Sequence, residues 1–100
     1  MIKKQFLKSK PVCKATFSLP VTLAPEATSV ALVGEFNNWD ITKGIPMKKD
    51  KDVFKAIVEL EAGREYQFRY LVDGGNWIND TQADNYVATP FGVENCVVNA

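Results

Sequence analysis

Arg64-Glu65-Tyr66-Gln67-Phe68-Arg69-Tyr70-Leu71-Val72 is the stretch that decides the fold. Tyr66, Phe68, Tyr70 and Val72 fall on one side of an extended chain, and Glu65, Gln67, Arg69 and Leu71 fall on the other. The aromatic row is core, so Arg69 projects from the opposite face of the same strand. Upstream, Val53 to Leu60 keeps the same period, with Phe54, Ala56, Val58 and Leu60 in phase. Glu61-Ala62-Gly63 supplies a short hairpin connection between the two strands. Downstream, Asp73-Gly74-Gly75-Asn76 is a tight turn, because glycine supplies the backbone conformations such turns need. It delivers Trp77 onto a short following strand.

Further out the alternation continues. Cys13, Ala15, Phe17 and Leu19 share one face of a half-buried strand whose other face carries Lys14, Thr16 and Ser18. Thr28 to Phe36 reads as a strongly apolar strand, Pro46 to Lys49 as a short edge strand, and Val93 to Asn99 as the last strand. Asn79 to Asn85 is polar and loop-like. No window of a dozen residues carries an apolar stripe at helical spacing. About seven short strands in a chain of 100 residues make an all-β protein of β-sandwich architecture. Residues 1–100 form a single domain, and the lysine-rich residues 1–11 are expected to be a frayed or loosely attached N-terminal segment.

Composition narrows the chemistry. Twelve basic residues balance twelve acidic ones, which leaves no electrostatic footprint for a phosphate backbone and argues against nucleic acid as a partner. There is no histidine, the side chain that most often serves as general base or metal ligand near neutral pH. Cys13 and Cys96 lie near opposite ends of the chain, without metal-binding spacing, and read as buried reduced thiols; a staple between the first and last strands is the other reading. Gly34, Gly74 and Gly75 build no phosphate-cradling motif. Asp73, Asp80 and Asp84 sit in turn-rich segments and read as solvated turn residues rather than as an acid and base pair. No catalytic residue, metal or cofactor is expected. MIKKQFLKSK has no apolar continuation of a signal peptide. The longest apolar run, Val30 to Val33, falls far below the roughly 20 residues of a membrane span. A soluble, cytoplasmic protein with no membrane partner is the expectation.

Trp39 and Trp77 each stand beside turns rich in Asn, Asp and Gly. From residue type alone each reads either as a cap on the sandwich core or as a rigid apolar face for a ligand, with the indole N–H free to donate. A sugar ring, with one face of C–H groups and a rim of hydroxyls, suits such a face. Arg69 likewise reads either as a solvated charge on an outer sheet face or as a fork of donors aimed at hydroxyl oxygens.

Three segments together resemble carbohydrate-binding module family 48: Val30-Ala31-Leu32-Val33-Gly34-Glu35-Phe36-Asn37-Asn38-Trp39, Arg69 to Trp77, and Pro90-Phe91-Gly92-Val93-Glu94-Asn95. This group includes the glycogen-binding domain of the AMP-activated protein kinase β subunit and the N-terminal early-set domains of isoamylases and glycogen branching enzymes. The resemblance runs from about Thr28 to Val98. It implies an immunoglobulin-like (early-set) β-sandwich, not an enzyme, that binds α-1,4-linked glucans such as glycogen, starch and malto-oligosaccharides. It implies that Trp39 and Trp77 stack on sugar, that Arg69 stands for a lysine contacting hydroxyls, that Phe91 stands for a leucine packing on the glucan, and that Asn95 is a hydrogen-bonding asparagine. Val93 replaces a hydroxyl-bearing threonine, and an extra residue stands between Asp73 and Trp77. The alternative implied role is a protein-interaction or regulatory domain docking on a glucan-processing enzyme.

Overall fold

A computed structural model describes residues 2–100 of the chain. Among them ten strands form two antiparallel sheets: β1 (Ile2–Phe6), β2 (Val12–Pro20), β3 (Val30–Gly34), β4 (Ile45–Pro46), β5 (Lys48–Asp50), β6 (Val53–Glu61), β7 (Glu65–Val72), β8 (Asn76–Ile78), β9 (Asn85–Ala88) and β10 (Glu94–Asn99). The first sheet has the order β1-β2-β6-β5, and the second runs β4-β3-β7-β10-β9, with β8 also paired to β7. The alternation in the sequence thus resolves into the expected all-β sandwich, with inner faces that interdigitate. Among the described residues no helix is long and apolar enough to cross a membrane.

The aromatic row of β7 lies in the core. Phe68 is fully buried. Its ring meets Phe17 of β2 edge to face at 5.0 Å between centroids and Tyr70 at 5.7 Å. Phe36 joins the two sheets by packing 6.2 Å from both Phe17 and Tyr66. Cys13 and Cys96 are buried in opposite sheets and unbridged. Burial pushes the Cys96 thiol pKa above its ordinary value.

Three expectations change. Fraying of residues 1–11 is the first. Met1 lies outside the described residues, but Ile2–Phe6 pair along their whole length with Cys13–Phe17. The reason is the period of two: Ile2, Lys4 and Phe6 share the side of Phe17, Ala15 and Cys13, while Lys3 and Gln5 face outward, a lysine-bearing edge that discourages further pairing. Lys4 also reaches across the sandwich, its Nζ 2.6 Å from Asp84 Oδ2. The predicted edge strand at 46–49 divides into β4 and β5, one in each sheet. Asn85–Ala88, which shares only Asn85 with the loop-like stretch 79–85 and for which no strand is expected, forms β9 against β10.

Asp80 corrects the view of the aspartates as solvated turn residues. It is 2% exposed. Its carboxylate accepts from the Tyr70 hydroxyl at 2.8 Å and from the Gln82 amide at 2.8 Å. Burial, and then the Asp80 charge, raise the Tyr70 pKa, so the phenol stays a donor. Asp84 accepts from the Asn99 amide besides pairing with Lys4. Asp73 is exposed, yet its Oδ1 accepts from Thr28 N, Thr28 Oγ1 and Ser29 N, each at 2.9 Å. These bonds favour the charged form and hold the Asp73 pKa below its ordinary value, the Ser29 amide contributing most. The sign follows: stability from this clamp is present above the unfolded pKa of about 3.9 and is lost as pH falls through the depressed folded value. Protection of the Thr28 and Ser29 amides, measured as exchange relative to the intrinsic rate at each pH, should therefore be high at neutral pH and fall selectively in acid. The same acid-dependent loss of protection in an Asp73→Asn variant, which has no carboxylate to protonate, would contradict the assignment.

Candidate functional site

The outer face of the second sheet is organised by β7. On one edge it pairs with β3. Its other edge is shared: Glu65–Phe68 pair with β10, and Tyr70–Val72 pair with β8. Trp77 therefore sits opposite Leu71 on the face that Arg69 and Gln67 also occupy. Asn95 precedes the inward Cys96, which pairs with Phe68, so Asn95 faces outward, and its partner in β9 is Val87.

Trp39 arrives by a different route, and each residue of Gly34-Glu35-Phe36-Asn37-Asn38-Trp39 has a part in it. Gly34 sits where a Cβ would lie 2.4 Å from the Gln67 carbonyl oxygen and 2.9 Å from Phe68 Cα, so only glycine allows β3 to approach β7 this closely. Glu35 Oε1 accepts from Gln67 N at 2.6 Å. Phe36 enters the core between Phe17 and Tyr66. The Asn37 side chain accepts from Gly34 N at 2.9 Å and donates to the Leu32 and Lys43 carbonyls at 3.2 Å each, tying the turn to its own strand. Asn38 and Trp39 then adopt left-handed backbone with φ of 56° and 58°. Asparagine tolerates this; a bulky tryptophan rarely does. Trp39 N closes the turn on the Gly34 carbonyl at 2.9 Å, and Asp40 caps the next, short helical turn by accepting from Thr42 N at 2.9 Å. The chain holds Trp39 in a disfavoured conformation, and such strain is concentrated at functional sites.

The two indoles meet. Their centroids are 6.4 Å apart and their planes are inclined by 63°, so they form an edge-to-face corner instead of one flat platform. Trp39 is half-buried and Trp77 is 37% exposed, so neither is a simple core cap. The Arg69 guanidinium lies 5.9 Å from the Trp77 ring centroid, and its Nε donates to Asn79 Oδ1 at 2.7 Å. Asn79 Nδ2 in turn donates to the Glu94 carbonyl at 2.9 Å. Asn95 Nδ2 donates to Gln67 Oε1 at 3.0 Å. Phe91 stands 87% exposed in the β9–β10 turn, where Gly92 takes φ of 79° and Thr89 N bonds to the Val93 carbonyl at 2.9 Å.

All five residues singled out in the sequence, Trp39, Arg69, Trp77, Phe91 and Asn95, line one open cleft of about 570 Å³. Val87 and Val93, both exposed, extend its apolar wall, and Gln67 adds an amide. Exposed apolar surface gathered around a few polar groups is a surface that a ligand can cover. Sequence reasoning missed Gln67, Asn79 and Val87. Gln67 was detectable, since it lies two residues before Arg69 and so on the same face. Asn79 and Val87 depend on strand neighbours that no local pattern discloses. Among the described residues no cluster of side chains suited to a metal ion occurs.

A family model described as the glycogen recognition site of AMP-activated protein kinase matches residues 17–99. The chain is also 33% identical over 58 residues to a 1,4-alpha-glucan branching enzyme of Clostridium perfringens (strain 13 / Type A), covering 55% of this chain and 9% of that enzyme. A 1,4-alpha-glucan branching enzyme of Photobacterium profundum is 33% identical over 57 residues, covering 56% of this chain and 8% of the enzyme. The chain thus spans less than a tenth of the length of these curated relatives.

Proposed function

We propose that this chain, which belongs to the family of the glycogen recognition site of AMP-activated protein kinase, binds α-1,4-linked glucans in the cleft between Trp39, Trp77 and Phe91 and carries out no reaction there. The observation that carries the reading is the convergence of two indoles, one exposed phenyl ring, a guanidinium and two amides on one outer sheet face. Indole faces take up the apolar faces of glucose rings, while Arg69, Gln67 and Asn95 present donors and acceptors to the hydroxyl rim. The 63° between the indoles suits a polymer whose successive rings turn relative to one another, as α-1,4 linkage makes them do. A flat ribbon would lie on only one of the rings.

The cleft lining holds no Asp or Glu, and Asp73, Asp80 and Asp84 are engaged in hydrogen bonds that hold the fold, which supports binding over glycoside cleavage. Ring contacts of about 1 kcal/mol each and a few exposed hydrogen bonds, set against association costs, give dissociation constants between micromolar and millimolar. In native gels containing glycogen the protein should migrate more slowly than in plain gels, with a reference protein of similar size unaffected. Unchanged mobility up to saturating glycogen would refute the reading.

A glucan-processing enzyme is the second partner proposed, because relatives named 1,4-alpha-glucan branching enzymes contain a region similar to this chain. The same cytoplasmic setting would serve both partners. Docking through the indole face would be blocked by malto-oligosaccharide, whereas docking elsewhere would leave the sugar titration unchanged.

A further inference from the structure

We propose that the cleft prefers glucans bearing phosphate monoesters to neutral glucans, with Arg69 as the phosphate-binding group and Asn79 as the residue that positions it. The proposal rests on the glucan-binding reading and specifies the ligand class of that site.

The cleft contains Arg69 and no acidic side chain in its lining. Ion pairs among the described residues join Lys4 to Asp84, Lys55 to Asp50 and Arg64 to Glu61, and none includes Arg69. Arg69 is half-buried as a residue, its backbone pairs with Val33 of β3, and no carboxylate forms an ion pair with it among the described residues. A guanidinium with no acidic partner is matched better by a phosphate than by neutral hydroxyls. Gln67 and Asn95 already supply neutral amides for a hydroxyl rim.

The guanidinium is also oriented. Its Nε–H is taken by Asn79 Oδ1 at 2.7 Å, and Asn79 is itself anchored to the β10 backbone through the Glu94 carbonyl at 2.9 Å. The Trp77 ring flanks it at 5.9 Å. What remains for a ligand is the pair of Nη groups, a planar fork whose geometry matches two oxygens of one phosphate. A phosphate on a glucose unit seated at the indole corner would meet that fork, and its charge would complete the pair that the protein leaves open.

Calorimetric titrations with maltoheptaose, with maltoheptaose monophosphorylated on a 6-hydroxyl, and with inorganic phosphate test this. The phosphorylated sugar should bind about tenfold more tightly than the neutral one. The gain should shrink as salt rises from about 0.05 to about 0.5 M. Inorganic phosphate should bind more weakly than the phosphorylated sugar; equal binding would show a site for phosphate alone and overturn the glucan part. Arg69→Gln should bring the ratio of the two sugars to about one. Arg69→Lys, which keeps the charge and loses the fork, and Asn79→Ala, which keeps Arg69 and frees it, should each give a ratio between those of the parent and Arg69→Gln. Equal binding of both sugars by the parent overturns the proposal and leaves the glucan reading standing. Failure of both sugars to bind overturns the glucan reading itself.

Discussion

Phe68→Ala is expected to lower the free energy of unfolding by about 3–5 kcal/mol, a large share of the roughly 5–15 kcal/mol typical of a domain of this kind. Phe68 is fully buried where the two sheets face each other. It meets Phe17 from the opposite sheet at 5.0 Å and Tyr70 along its own strand at 5.7 Å. On either flank its backbone is held by ladder partners, Gly34 in β3 and Cys96 in β10. Close packing against Gly34 limits how far the strands can collapse into the space left by the ring, so a cavity term adds to the lost burial. Urea unfolding followed by tryptophan fluorescence measures the loss. Ile57→Ala, at a site 55% exposed on the outer face of β6, should change stability by no more than about 0.5 kcal/mol. Comparable losses in the two variants would place the core elsewhere.

Trp77→Ala is expected to weaken maltoheptaose binding at least tenfold, about 1.4 kcal/mol or more, while the unfolding midpoint stays near that of the parent. Trp77 is 37% exposed and lies outside the core between the sheets, so little core packing goes with it. It is, however, the edge partner of Trp39 and the ring beside the Arg69 guanidinium, so its removal takes away one wall of the corner and loosens the other two groups. Trp39→Ala should cost a similar factor. Because the rings touch, the double variant should lose less than the two single losses combined. Binding of either single variant within about twofold of the parent would remove the indoles from the site.

The sandwich was legible because its core strands are locally redundant. In β7 the alternation of Tyr66, Phe68 and Tyr70 with Gln67 and Arg69 admits one assignment of faces, and the burial of the first three follows it. The edges were less legible. Ile2–Phe6 carries polar residues at Lys3, Lys4 and Gln5, and its status as a strand comes from its partner β2, not from its own propensity. β9 exposes all four of its residues, so it lacks the buried face from which a strand is recognised. Asp80 deceived for a related reason: turn residues surround it in sequence, and its burial depends on a hydroxyl from Tyr70 in a different strand. The site fell between these cases. Trp39, Arg69, Trp77, Phe91 and Asn95 could be named from type, setting and family motifs. Their meeting requires β8 and β10 to share one edge of β7, and that arrangement belongs to the topology alone. The 63° between the indoles is likewise a product of two unrelated turns.

The chain contains only two tryptophans, so its indole N–H groups give two resolvable signals in a nitrogen–proton correlation spectrum. Titration with maltoheptaose should move both signals together with the backbone amides of Gln67, Arg69, Phe91 and Asn95, along one saturating curve, while amides of β2 and β6 stay still. Indole signals that hold their positions while the sugar is in large excess, or shifts confined to the opposite sheet, would contradict the account.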